Sequence, residues 1–208
     1  MRPFLSIRRW HAFTRFSRDA RGISAVEFAL LLPIMVALYL GGVELTDGLS
    51  VQRKVTLTAN ALVNLAGQTT SITTSDMTNI LDAASAVMYP YPSANLTATL
   101  TCISIDPSTQ QATVRWSVPF PSTGTHYAEN QPLPFQINKD LITVKQSDGT
   151  DVVVNPNLLL AEVSYAYTPI IGYAITSTIN ISDRMYMAPR ISPPSYGDSE
   201  ATAKKCTP

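Results

Sequence analysis

Residues 23–43 form an apolar run with a single charged side chain, Glu27. At 1.5 Å per residue a helix of this length reaches about 31 Å, enough to cross the hydrocarbon core of a bilayer. Six arginines stand ahead of it (Arg2, Arg8, Arg9, Arg15, Arg18, Arg21) against one acid, Asp19. The formal net charge of the 208-residue chain is zero, so residues 23–208 carry the compensating net of −5. Basic residues hold the cytoplasmic side of a membrane helix. This order predicts a basic cytoplasmic leader over residues 1–22, a transmembrane helix over 23–43, and export of everything that follows. An Arg-rich head is also a nucleic-acid signature, but no basic, aromatic-rich segment recurs later in the chain, and no nucleic acid is expected as a partner.

The run exceeds the apolar core of about 7–15 residues found in a secretory signal, and "LGG" at residues 40–42 is only a weak cleavage exit. Pro33 would break a soluble helix. In a bilayer it is tolerated where neighbours or water satisfy the released carbonyl, which points to helix neighbours. Glu27 has two readings. It can snorkel toward the headgroups from about one turn inside the run. Alternatively it pairs within an assembly, because an unpaired carboxylate at a helix centre costs about 2.5–3.5 kcal/mol on insertion scales.

Beyond residue 43 the chain stays helix-compatible, with Leu49, Val55, Leu62, Val63 and Ala66 at mostly helical spacings, so a helical stalk is expected over 44–67. Gly67 before "QTTSITTS" is its stop, and Ser75 is the expected cap of a second helix ending near Met88. After Pro92 the texture turns β-branched. "NLTATLTCISID" and "QATVRWSVPF" flank the turn "PSTQ" and read as a hairpin. "LITVKQ", "DVVVN" after Asp148-Gly149, "LLLAEVSYAYTPI" and "YAITSTINIS" are further strands. Helices followed by strands give an α+β class: an exported domain over 68–190, mainly an antiparallel β-sheet, and an extended tail over 191–208. Residues 119–138, with four prolines, read as an irregular surface excursion.

Cys102 and Cys206 are the only cysteines. They form one disulfide tying the tail to a strand in an oxidising compartment, or they are two free thiols; spacing alone leaves both open.

Gly22, four residues "ISAV", then Glu27 and Phe28 ahead of an apolar run resemble the processing site of type IV pilin-like proteins of the tight-adherence (Tad) class. The wider stretch "FSRDARGISAVEFALLLPIMVALYLGGVEL" resembles the start of TadE/TadG-like pilus-assembly proteins. The resemblance implies a pilin-like fold and cleavage between Gly22 and Ile23 by a membrane prepilin peptidase. Glu27 would then act in assembly by pairing with a neighbour's new N-terminal amine. It also implies an inner-membrane protein with a periplasmic or pilus-borne C-terminal domain. Its partners would be other pilin-like subunits, the Tad inner-membrane platform and the lipid bilayer. "LLAEVSYAYTPI" and "DRMYMAPR" look like late segments of such chains; read from the residues alone they are an edge strand with Tyr165 and Tyr167 on one face, and a tail with exposed Arg184 and Arg190.

Catalysis has little to work with. His11 falls in the leader and His126 on the Pro-rich excursion. Two cysteines so far apart with one histidine do not make a zinc site. No phosphate-cradling glycine motif occurs, and Asp140, Asp148 and Asp151 make at most a weak cation site. No enzyme activity, cofactor or metal is expected. The rival to the pilin-like reading is an unprocessed membrane-anchored domain that binds a ligand at the "YAYTP" edge or the Pro-rich excursion.

Overall fold

The computed structural model describes residues 22–208 except 107–108, 110, 123–125, 138–142, 146–150, 154–156, 170, 173–175, 200, 202 and 207–208; for 143–145 and 151–153 it describes the backbone alone. The arginine leader with His11, as well as Asp140 and the Asp148-Gly149 turn, lies outside the described residues, and of Asp151 only the backbone is described.

Helix α1, Ile23–Ala66, runs unbroken through Pro33. It ends at Gly67, whose N–H donates to the Val63 carbonyl at 2.9 Å. The first half is bare: its most apolar eighteen-residue window has mean hydropathy 2.2 and no buried residue. The second half buries Glu44, Val51, Val55, Thr58, Ala59, Leu62, Val63 and Ala66. These positions recur every three or four residues and form one face. The continuation past residue 43 therefore does not stand clear of the domain; it is the domain's spine.

A two-residue strand β1, Ser71–Ile72, leads to helix α2, Thr74–Ala86. Thr73 caps α2, two residues before the expected Ser75. Both are capping residue types, but only Thr73 has an acid three residues on. Its hydroxyl accepts from the Asp76 N–H and its own N–H donates to Asp76, each at 3.1 Å. The Thr73 hydroxyl also donates to the Asp76 carboxyl at 2.7 Å, and that bond, followed by the one from the Thr73 N–H, holds the carboxyl below its usual range.

The remaining strands are β2 Leu96–Ile105, β3 Ala112–Phe120, β4 Thr143–Lys145, β5 Asp151–Val153, β6 Asn157–Tyr167, β7 Ile179–Met187 and β8 Ser195–Tyr196. Strands β3-β2-β6-β7 form an antiparallel sheet, β4 pairs with β5, and β8 lies parallel to β1. The fold is α+β, as its helix-then-strand order predicts. Two assignments change. Strand β6 sits between β2 and β7 rather than at an edge, and it buries Tyr165 and Tyr167 against the helices. The last sheet strand starts at Ile179 and takes in "DRMYM", so Arg184 belongs to a strand and not to a tail. Arg184 and Arg190 are both partnered, with Glu162 and with Asn64 at 2.7 Å.

The sheet separates two cores. Leu96, Ala98, Leu100, Cys102, Leu159, Ala161 and Val163 face α1 and α2. Ile103, Ile105, Val114, Leu158 and Leu160 face the other way, under Tyr127, Leu133 and Phe135 of the Pro-rich excursion. That excursion is thus a lid on the upper outer face, bonded to the β3 edge through Val114 and Ala112. Strand β3 serves both cores because it carries one extra residue, Arg115, where Cys102 pairs with Trp116 and Ile103 with Val114. Below the bulge Trp116 faces the helices; above it Val114 faces the lid.

The tail is pinned. The Trp116 indole N–H donates to the Pro194 carbonyl at 3.1 Å, and Asp198 accepts from the Thr74 N–H and hydroxyl at 2.7 and 2.8 Å, which lowers its carboxyl pKa. Cys206 is bonded to Cys102 with Cα atoms 5.8 Å apart, across a separation of 104 residues. Cross-linking a loop of about that length stabilises by roughly 2–5 kcal/mol. Replacing both cysteines by serine is expected to lower the unfolding free energy by about that amount in a denaturant titration. Reducing agent is expected to slow the wild-type chain in a denaturing gel and to leave the variant unmoved.

Candidate functional site

At the start of α1, Gly22 precedes the first helical turn and makes no side-chain cap; Ile23, Glu27 and Phe28 are all exposed. Glu27 stands one turn above Ile23. Among the described residues no ion pair involves it. No acidic residue lies in the first turn, where the helix dipole acts most strongly, and an amine at Ile23 would place a full positive charge one turn below Glu27. The four predicted residues Gly22, Ile23, Glu27 and Phe28 lie together at the start of α1, and among the described residues nothing covers them.

The exposed surface continues upward. Leu31, Met35, Leu38, Leu45 and Leu49 are exposed and fall on one side of α1, opposite Val51, Val55 and Leu62. At Gly41 and Gly42 an added Cβ would meet nothing within 4 Å. The face turned away from the domain is therefore apolar both along the membrane-length half and for about one further turn.

Where the bare half gives way to the packed half, a polar collar closes on the helix. Asp47 accepts hydrogen bonds from the Tyr91 hydroxyl at 2.6 Å and the Tyr167 hydroxyl at 2.8 Å. Tyr91 follows α2 and Tyr167 ends β6, so one carboxylate ties both to α1. Burial, and then the bond to Asp47, pushes the Tyr91 phenol up to about 12 and raises that of Tyr167 as well; buried Glu44 adds to the latter. Lys54 Nζ donates to the carbonyls of Val87 and Tyr89 at 3.1 and 2.6 Å, where a cation satisfies the open end of α2. Sequence reading missed this collar. Its only signal was an acid four residues past the apolar run; its tyrosines come from 44 and 120 residues away.

The lower outer face of the sheet holds a groove of about 720 Å³ lined by Thr97, Thr99, Tyr127, Glu162, Ser164, Ser182 and Arg184. Arg184 Nε donates to Glu162 at 2.6 Å, and its guanidinium lies 4.2 Å from the Phe135 ring centre. Burial, followed by its bond to Glu162, raises the Tyr127 phenol pKa. Hydroxyls and an ion pair make this surface polar and hydrogen-bonding. His126 is exposed, and among the described residues no three of His, Cys, Asp and Glu gather as a metal site.

Residues 22–62 match the family model described as TadE-like protein. Over this stretch the chain is similar to TadE-like proteins. No curated protein and no solved structure matches it. The TadE-like segment starts at Gly22 and ends within the packed half of α1. It spans the bare surface, the collar acid Asp47 and most of the buried face, but none of the sheet.

Replacing Asp47 by alanine removes the carboxylate that accepts from two part-buried phenols, and leaving such groups unsatisfied costs about 1–3 kcal/mol each. For Tyr91 the folded pKa lies above the ordinary phenol value of about 10, so its stabilising contribution is complete below pH 10 and is lost as pH rises toward about 12. The unfolding free energy of the wild type is therefore expected to fall over that window, and Tyr91→Phe is expected to flatten the fall. An unchanged slope in Tyr91→Phe would rule out the Asp47–Tyr91 bond as its source.

Proposed function

We propose that this chain is a pilin-like minor subunit or assembly factor of a Tad-type pilus. It is inserted in the bacterial inner membrane with its N-terminus cytoplasmic, and it is cut between Gly22 and Ile23 by a prepilin peptidase. Its work is structural. The observation that carries this reading is the bare helix beginning at Gly22 inside the TadE-like match, with one carboxylate, Glu27, a single turn above the bond that would be cut. The TadE-like family itself supports involvement in Tad pilus assembly.

Cleavage would leave an amine at Ile23 and a carboxylate at Glu27 on every copy. In lipid neither charge is satisfied by water, so each lowers its cost by pairing with the opposite charge of a neighbouring helix. A buried polar pair of this kind selects one register between packed helices. The exposed Leu and Gly face of α1 gives those neighbours a packing surface, and the periplasmic domain, with its back to that face, is carried into contact with the other subunits and the Tad platform.

A second reading, an unprocessed anchor whose exported domain binds a ligand, draws its support from the polar groove at Glu162, Tyr127 and Arg184. The two differ at the N-terminus. Intact mass and N-terminal sequencing of the protein extracted from its native membrane are expected to give a chain beginning at Ile23. Glu27→Gln is expected to leave insertion intact and to abolish co-purification with the other pilin-like subunits. A chain that keeps its six-arginine leader would instead favour the anchored binding domain.

A further inference from the structure

Strand β6 runs back along α1 toward the bare half. An added Cβ on Gly67 would touch Leu159 at 3.7 Å and one on Gly48 would touch Tyr167 at 3.8 Å. Between those contacts the helix rises about 28 Å at 1.5 Å per residue and the strand covers about 26 Å at 3.3 Å per residue, so the two lie side by side. Tyr167 therefore stands level with Gly48, about 7 Å above residue 43 at the helical rise. The interfacial layer outside the hydrocarbon core is about 5–8 Å deep on each side. The chain leaving β6 at Tyr167 is thus heading for the bilayer from its outer edge.

What leaves β6 suits that place. From residue 163 to residue 182 there is no charged side chain, in a chain that is 14% charged overall. The Thr168 and Thr178 hydroxyls hydrogen-bond at 2.9 Å and hold the two ends of the β6–β7 connection together, and between them Gly172 has φ 64°. Next to Gly172, Ile171 is 47% exposed, and Ile179 beside Thr178 is 41% exposed. Tyr89, whose carbonyl is held by Lys54, is 80% exposed, and Tyr39 is exposed on the helix below. Tyrosines gather where apolar ring and polar hydroxyl can straddle the headgroup level, and exposed isoleucines gain by entering the acyl boundary.

We infer that Ile171, in the β6–β7 connection, rests in the headgroup layer of the same bilayer that α1 crosses, as a second membrane contact for the exported domain. The inference depends on α1 spanning a bilayer, as proposed above. A single helix leaves the domain free to swivel about the membrane normal and to tilt. A second contact fixes tilt, and with it the direction in which the exposed Leu45 and Leu49 face is offered to neighbours.

The full chain, carrying a benzophenone amino acid at position 171, 109 or 31, is reconstituted in vesicles of phosphatidylethanolamine and phosphatidylglycerol, irradiated, and its adducts are weighed by mass spectrometry. Position 31 reports insertion. Thr109 is exposed in the β2–β3 connection at the far end of the domain, since β2 runs antiparallel to β6. Lipid adducts are expected at 31 and 171 and none at 109. Lipid at 31 without lipid at 171 would overturn the second contact while leaving the anchor in place. Cross-links from 171 to a second copy of the chain would overturn it too, in favour of a subunit interface. No lipid at 31 would remove the membrane anchor, and the second contact at Ile171 with it.

Discussion

A single α-helix that must satisfy two solvents is the constraint on which the rest of the molecule depends. The first half of α1 is apolar on all sides, which suits a helix that a bilayer would cover on every face alike. Along its second half water is the alternative, so the apolar residues must gather on one face and find cover. Val51, Val55, Leu62 and Val63 do so against β6, β7 and α2. The sheet is laid along the helix for this reason. The long strands β2 and β6 match the packed half in length, and the polar caps of α2, Asp76 and Asp198 from one end and Lys54 from the other, keep the short helix in place over the same core.

The join between the two halves is polar rather than apolar, and that choice has a physical reason. A hydrophobic contact fixes no height, since an apolar helix can slide against an apolar face at little cost. Asp47, held by phenols from two separate elements, fixes height and rotation together. A slip of one residue would turn the carboxylate by about 100° and leave three polar groups without partners, at about 1–3 kcal/mol each. The domain is thereby set at one distance from the membrane-length run.

Legibility in the sequence followed the range of the interactions. The bare half of α1 and the Gly22, Ile23, Glu27, Phe28 pattern are written in consecutive residues, and one matching family segment covers them. The α+β class and most strands are written in two-residue alternation. Local pattern failed where a distant partner decides. Ser75 lost the cap to Thr73 because the deciding acid sits at Asp76. The face exchange in β3 was invisible because Arg115 looks like one more residue in an alternating run, and it becomes a bulge only opposite Cys102 and Ile103. "LLLAEVSYAYTPI" read as an edge because nothing within it records that β2 and β7 come to lie on its two sides. The collar was missed for the same reason; of the tail's anchors the Cys102 bridge was one of two readings open to the sequence, whereas Trp116 and Thr74, far back in the chain, carry no mark of their partners.

The two faces of α1 also settle a conflict that a packed helix in an assembling protein must face. Helix contacts between copies and the helix contact within each copy both need apolar surface, and if they shared residues, assembly would require the domain to peel away. At 100° per residue Leu31, Met35, Leu38, Leu45 and Leu49 fall within about a third of the circumference, while Val51, Val55 and Leu62 fall on the opposite side. The first group is exposed and the second is fully buried. A neighbouring helix can therefore occupy the open face from the membrane up to Leu49 without disturbing the buried one. Above Leu49 the exposed side changes character: Gln52 and Arg53 interrupt the stripe, and Thr56 turns to a hydrogen bond with Asp183 of β7. The apolar face open to other helices thus runs only to Leu49, two residues past Asp47, before the interruption at Gln52 and Arg53, a limit set by the residues at which the domain's own edge begins to claim the helix.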